Sequence, residues 1–188
     1  RIPLLGMFTG ANALRDPFNR YVINVRASYY QETRAAVRHL VTDLGIRRIA
    51  VFYQYDAYGF DGLTGAELAL KDHRLVPVAN GSYIRGTLNV EEGLHKIMAT
   101  GAEAVVLIGT YDPCAKFVRL AHEKGFNPIF YLVSFVGAEE LARRLENYPD
   151  IIVLMSQVVP PPLEIPSPTS PGSPGEYIDL LKRYYPEE

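Results

Sequence analysis

The stretch Arg47–Gly62, RRIAVFYQYDAYGFDG, decides how the rest of the chain reads. A basic step leads into the uninterrupted apolar run Ile49–Tyr53, which gives way to the polar, aromatic loop Gln54–Gly59 and then at once to a helix pattern. That order describes a buried strand whose carboxyl end opens onto a loop, followed by a helix. In open α/β sheets, ligands gather just outside such strand ends. Tyr58 is therefore the first residue to consider as a ligand contact.

The same rhythm extends outward in both directions. After Ile49–Tyr53 comes a helix through Leu63, Ala66 and Leu70, then a strand over Leu75–Ala79. The next helix has Asn89 as its expected N-cap, with Glu92 three residues on and an apolar stripe of Val90, Leu94, Ile97 and Met98. Ala104–Ile108 reads as a strand, Asp112 as the cap of the following helix and Pro113 as its first residue. Strand Ile129–Val133 leads through Ser134 to a helix containing Leu141 and Leu145, and Ile151–Gln157 is the last expected strand. Upstream, Leu4–Phe8 reads as a short buried strand and Tyr21–Val25 as a second one. A helix through Ala36, Val37, Leu40, Val41 and Leu44 then ends at Gly45. Strands alternating with helices predict a parallel sheet covered on both faces, and the near-continuous apolar character of the strands agrees. The fold class is therefore α/β, three-layer αβα, with a mainly parallel sheet.

Composition narrows the function. The chain has 188 residues, 48% hydrophobic and 21% charged, enough for one packed domain or two small lobes. A net charge of -2 gives no basic excess for nucleic acid, so no nucleic-acid partner is expected. No apolar run reaches bilayer length, and nothing reads as a signal peptide. The single Cys114 excludes an internal disulfide and sits on an apolar helix face, where it reads as a structural thiol. Pro160–Gly175 is dense in Pro, Ser and Gly and reads as a linker or extended loop; Tyr177–Tyr184 reads as a terminal helix. The abrupt start, with Arg1-Ile2-Pro3 running straight into an apolar segment, reads as an excerpt trimmed at a strand. An orphan strand at Leu4–Phe8 would leave exposed edges and favour a homodimer or strand exchange.

Chemistry concentrates at one edge. The loops Gln54–Tyr58, Thr110–Tyr111 and Ser134 all leave carboxyl ends of strands, and their tyrosines, hydroxyls and helix-start amides suit a small polar or anionic ligand. Catalysis is poorly provided for. His39, His73, His95 and His122 lie in or just after helices, away from these loops, and there is no GxSxG, Walker or HExxH motif. Gly59, Gly62 and Gly65 fail a dinucleotide fingerprint because bulky residues occupy its small positions. Asp56, Asp61 and Asp112 have no metal-ligand spacing. No cofactor, no metal and no enzyme activity are expected.

Several stretches carry a resemblance: FTGANALRDP (Phe8–Pro17), YVINVRASYYQE (Tyr21–Glu32), RIAVFYQYDAYGFDG (Arg48–Gly62), GTYDPCAKF (Gly109–Phe117), SFVGAEEL (Ser134–Leu141), and QVVPPP (Gln157–Pro162) followed by EYIDLLKRYYP (Glu176–Pro186). In this order the chain resembles type I periplasmic binding proteins of the leucine/isoleucine/valine-binding group, found with ABC transporters.

The resemblance implies two α/β lobes that close on a small-molecule ligand about a hinge. It assigns residues 1–28 to the end of a first lobe, 29–159 to the second, and 160–188 to a return crossover and terminal helix. It implies a periplasmic or extracytoplasmic location, and a membrane permease of an ABC transporter as partner. Thr9, Gly10 and Asn12 match the first-lobe ligand loop, where backbone and amide would hold a carboxylate or similar head group. Tyr58, Tyr111 and Ser134 match the second-lobe contacts. Amino-acid-binding members often place a glutamate where Ser134 stands, so an amide, an organic acid or an aromatic acid competes with an amino acid as the ligand. A ligand-sensing extracellular domain of a receptor is the alternative on the same fold. An α/β enzyme is the third reading.

Overall fold

The computed structural model describes residues 2–158 together with Asp179, Lys182 and Arg183. The chain divides into two units, Arg1–Ser156 and Gln157–Glu188, and every element below belongs to the first. Two short strands come first, β1 (Leu4–Leu5) and β2 (Val22–Ile23). Helix α1 (Tyr29–Arg38) runs on into a π-helical turn, His39–Asp43. Then follow β3 (Ile49–Gln54), α2 (Ala57–Asp72), β4 (Asn80–Tyr83), α3 (Glu91–Met98), β5 (Ala104–Ile108), α4 (Tyr111–Glu123), β6 (Ile129–Leu132), α5 (Ala138–Leu145) and β7 (Val153–Met155).

Strands β3 to β7 form one sheet in the order β4-β3-β5-β6-β7, every neighbouring pair parallel. Strand residues point alternately to opposite faces, and here both faces are covered. Ala50, Phe52, Val105, Leu107, Phe130 and Leu132 pack with Leu94, Phe117 and Leu141, from α3, α4 and α5. Ile49, Val51, Ala104, Val106, Ile108 and Tyr131 face the other way, onto Val37 and Leu40 of the first helical segment and Ala66 and Leu70 of α2. This is the expected three-layer αβα arrangement. No helix among the described residues is long and apolar enough to cross a membrane.

Four local expectations are corrected. The edge strand is Asn80–Tyr83, not Leu75–Ala79. Pairing with β3 starts only at Val78 and Ala79, while Val76 is exposed. Gly81 suits the strand because an added Cβ would meet Gly93 O of α3 at 2.7 Å. Helix α3 is capped at Val90 rather than Asn89, whose N–H instead meets Thr87 Oγ1 at the end of a turn. Helix α4 starts at Tyr111 with Thr110 as N-cap. Asp112 turns instead to Arg144 Nε, which donates to its Oδ1 at 2.6 Å, and Pro113 stays within the first turn, where its missing N–H has no helical partner to lose. The segment Leu4–Phe8 is no buried strand: Leu4 is 43% and Leu5 66% exposed. Pairing with β2 satisfies some of its backbone, but no layer among the described residues covers it. The expected linker Pro160–Gly175 and helix Tyr177–Tyr184 lie outside the described residues, apart from the three named above.

The glycines of α2 are packing devices. A Cβ on Gly59 would lie 1.7 Å from Gln54 O, one on Gly62 2.6 Å from Ile108 Cγ2, and one on Gly65 2.5 Å from Thr33 Oγ1. Three residues apart, they share one face of the helix and let it settle onto the end of β3, onto β5 and onto α1. The Asp56 carboxylate caps the helix, accepting the Gly59 N–H at 3.1 Å. Gly59→Ala must displace backbone, and is expected to lower unfolding stability by about 2–3 kcal/mol in urea denaturation. Wild-type stability in that variant would contradict the close approach.

Candidate functional site

The site is built on a buried carboxylate. Ser28 opens α1 with a reciprocal cap: its Oγ accepts the Gln31 N–H at 3.1 Å, and Gln31 Oε1 accepts the Ser28 N–H at 2.8 Å. That start fixes Glu32 one turn in, its side chain 2% exposed. Glu32 Oε1 accepts from Arg26 Nη2 at 2.8 Å, while Oε2 accepts from the Ser134 N–H at 2.8 Å and from Ser156 Oγ at 2.7 Å. Arg26 also donates to Ser134 Oγ at 2.6 Å and to Phe8 O at 2.5 Å. Arg15 reaches from the other side, donating to Ala11 O and to Arg26 O, each at 2.8 Å. The segments after β1, β2, β6 and β7 thus meet at one ion pair.

An aromatic wall adjoins it. The Tyr58 ring lies 5.0 Å from Tyr29 and 4.8 Å from Phe135, and Phe8 lies 5.3 Å from Phe135. Such tilted pairs are favourable beyond their buried area. Gly10 sits against this wall: its carbonyl accepts the Tyr29 N–H at 2.9 Å, and a Cβ there would meet the Tyr29 ring at 2.9 Å. Thr9 Oγ1 lies 3.2 Å from Tyr29 Oη. The Asn12 N–H donates to Asp61 Oδ2 at 2.8 Å. Burial raises the Asp61 carboxyl above its ordinary value, against the opposing pull of the Asn12 N–H and Arg15.

The peptide group between Gly109 and Thr110 is held at both of its polar atoms. Tyr58 Oη donates to Gly109 O at 3.4 Å, and the Thr110 N–H donates to Tyr83 Oη at 3.2 Å. Tyr83 in turn donates to Gln54 Oε1 at 2.8 Å, and Gln54 Nε2 to Asp56 Oδ2 at 2.6 Å. Burial pushes the Tyr58 hydroxyl well above the ordinary tyrosine range, so it acts as a neutral donor. Tyr111 follows directly, with the Arg144 guanidinium 4.4 Å from its ring centroid.

The structure brings five of the six expected residues to connected positions. Thr9, Gly10 and Tyr58 touch or adjoin Tyr29, Asn12 is tied to α2 through Asp61, and Ser134 is held by Arg26 and Glu32. Tyr111 stands apart, joined to Tyr58 only through the held peptide. A surface cavity of about 390 Å³, lined by residues that include Leu14, Pro17, Phe18, Tyr21 and Val22, contains none of the six. Arg26, Glu32, Tyr83 and Ser156 were not among the expected site residues. The cap Ser28-x-x-Gln31 was a readable signal for the helix start, but nothing local marks Glu32's partners.

Tyr83→Phe tests the peptide clamp. It keeps the ring stacked 5.5 Å from Phe52 while leaving the Thr110 N–H and Gln54 without their partner, and should cost about 1–2 kcal/mol at neutral pH. Burial raises Tyr83 from the ordinary value of 10.0 to about 12, so folding favours its neutral form. That contribution is intact below pH 10 and is lost as pH rises toward 12. The gap between wild type and variant should therefore narrow across that window in denaturation titrations; a constant gap would contradict the assignment.

A family model described as periplasmic binding protein matches residues 1–164. A possible leucine/isoleucine/valine-binding protein from Rhodopirellula baltica is 41% identical, with a TM-score of 0.86, covering 99% of this chain and 50% of that one. A substrate-binding periplasmic protein from Ralstonia solanacearum is 32% identical, with a TM-score of 0.81, covering 96% of this chain and 49% of that one. A branched-chain amino acid ABC transporter protein from Thermus thermophilus with bound valine, 17% identical, shares the fold with a TM-score of 0.78 over 95% of this chain and 45% of its own. The chain thus spans about half the length of these solved structures. A comparison with curated proteins finds no match. With the family model matching most of its length, the chain belongs to the periplasmic binding protein family.

Proposed function

We propose that this chain is part of the solute-binding component of an ABC-type uptake system, and that it captures a small polar or carboxylate-bearing solute (an amino acid, an amide or an organic acid) by lobe closure. The carrying observation is that Tyr58, Tyr111 and Ser134 follow the carboxyl ends of β3, β5 and β6 of one parallel sheet, where open α/β sheets hold ligands, with Thr9 and Gly10 packed against Tyr29 beside Tyr58. Residues 1–28 belong in this reading to a first lobe, 29–159 to the second, and 160–188 to a return crossover. Capture then means shifting a population of open forms toward closed ones, with no covalent step. A periplasmic or extracytoplasmic location and a membrane permease as partner follow from the family.

Within the site, Asn12 offers an amide with no hydrogen-bond partner among the described residues, beside the Gly10 backbone. Tyr58 supplies a ring at the base of the site while its hydroxyl holds the Gly109 carbonyl, and Tyr111 offers a hydroxyl and one ring face. The Rhodopirellula relative is named as a possible leucine/isoleucine/valine-binding protein, which supports an amino acid among these solutes.

A thermal-shift screen of the intact protein identifies the solute, since a ligand that binds only the folded form raises the apparent melting temperature. With that solute, Tyr58→Ala and Tyr111→Ala are each expected to weaken calorimetric affinity about tenfold or more. Unchanged affinity in both would contradict the site, and no response to amino acids, amides or organic acids would contradict solute capture.

A further inference from the structure

The turn Asn12–Leu14 begins without a cap of its own. The first N–H groups of such a turn lack partners within it, and a side-chain oxygen just before the turn commonly supplies one. Here the preceding residue is Ala11, which has no oxygen to offer, and no acidic side chain stands in the turn. Thr9 Oγ1, a little upstream, accepts the Ala11 N–H at 3.2 Å instead. The Asn12 N–H is served from far along the chain: it donates to Asp61 Oδ2 of α2 at 2.8 Å, across 49 residues.

The position of Asp61 is itself well determined. Tyr58, Asp61 and Gly65 are spaced at three and four residues and so share one face of α2. That face is fixed against α1. The Tyr58 ring lies 5.0 Å from Tyr29, and a Cβ on Gly65 would meet Thr33 Oγ1 at 2.5 Å and the Tyr30 Cα at 3.0 Å. Asp61 is partly buried. Burial raises its carboxyl, while the Asn12 N–H and the Arg15 guanidinium pull the other way. Arg15 also folds back over the turn, donating to Ala11 O at 2.8 Å. The Tyr29 N–H fixes the loop as far as Gly10 O, at 2.9 Å. Beyond that point it is Asp61 that ties the Asn12 peptide to α2, one helical turn past Tyr58.

Resting on the solute-binding reading above, in which Asn12 meets the solute's head group, we propose that Asp61 is a positioning residue for capture. It caps the Asn12 turn from α2 and holds the Asn12 amide in register with Tyr58, without itself touching the solute. A contact held in place before the solute arrives spares the cost of ordering it on binding. Without the cap the amide keeps its chemistry and loses its place.

Calorimetry on the intact protein supplies the probe, from leucine, phenylalanine, butyramide, benzamide, butyrate and benzoate. The compound that binds wild type most tightly is carried through a mutant cycle. Asp61→Ala, a change that suits a helix, should weaken it about tenfold. Asp61→Asn retains a side-chain acceptor for the Asn12 N–H and should weaken it less than about threefold. Asn12→Ala should also cost about tenfold, and the double variant Asp61→Ala/Asn12→Ala less than about threefold beyond Asn12→Ala alone. Losses that multiply in the double variant show Asp61 acting apart from Asn12 and overturn the inference while solute capture stands. So does an Asp61→Asn variant as weak as Asp61→Ala, the outcome expected of a carboxylate that pairs with the solute directly. Silence toward all six probes contradicts solute capture and this inference together. Hydrogen exchange gives a readout without solute. In Asp61→Ala with native circular dichroism, the Asn12 amide should exchange about tenfold faster or more than in wild type, and in Asp61→Asn at close to the wild-type rate. An unchanged rate in Asp61→Ala overturns the cap itself.

Discussion

The ion pair between Arg26 and Glu32 is the constraint on which the site depends. Both side chains are almost wholly buried, and burying two charges is unfavourable unless each is fully hydrogen-bonded. Here the carboxylate accepts three hydrogen bonds and the guanidinium donates three, so the desolvation is partly offset by bonds to three other stretches of chain, at Phe8, Ser134 and Ser156, while the Arg26 Nε stays buried without a partner among the described residues. Removing either partner alone would leave the other charge buried and unpaired, a loss of about 3–5 kcal/mol. The network therefore does more than stabilise. It sets where Phe8, Ser134 and Ser156 stand relative to α1, and so where the loops after β1, β6 and β7 meet.

A second, neutral network does the same for the other half of the site. Tyr58 and Tyr83 grip the Gly109–Thr110 peptide from its two sides, and Gln54 and Asp56 extend that chain to the cap of α2. The two networks share the aromatic wall, since Tyr29 of α1 packs on Tyr58 of α2. Loops that would otherwise be independent are thus placed by buried polar groups with matched partners, the arrangement in which hydrogen bonds specify a unique geometry.

The fold was legible where strands are buried on both faces. Ala104–Ile108 is apolar at every position because α-helices cover it twice, and its sequence limits are its structural limits. Ile49–Tyr53 falls one residue short of the observed strand for a simple reason: Gln54 is polar yet buried, its amide satisfied by Tyr83 and Asp56. The edge strand Asn80–Tyr83 was hidden because an edge tolerates polar residues and because Gly81 is there for contact with α3, not for strand preference. At the site, the tyrosines and Ser134 could be read from their loops, since position after a strand is a local property. Arg26 and Glu32 could not, because Glu32 meets Ser134 and Ser156 across 102 and 124 residues of chain. No local pattern announces a carboxylate whose partners are that distant.

Within the candidate site, one buried pair fixes how the loops after β1, β6 and β7 meet. The most direct test is a double-mutant cycle on unfolding stability with Arg26→Gln, Glu32→Gln and the double variant. The account predicts a coupling of about 3 kcal/mol, with the double variant little worse than either single one. Additivity within about 0.5 kcal/mol would contradict it.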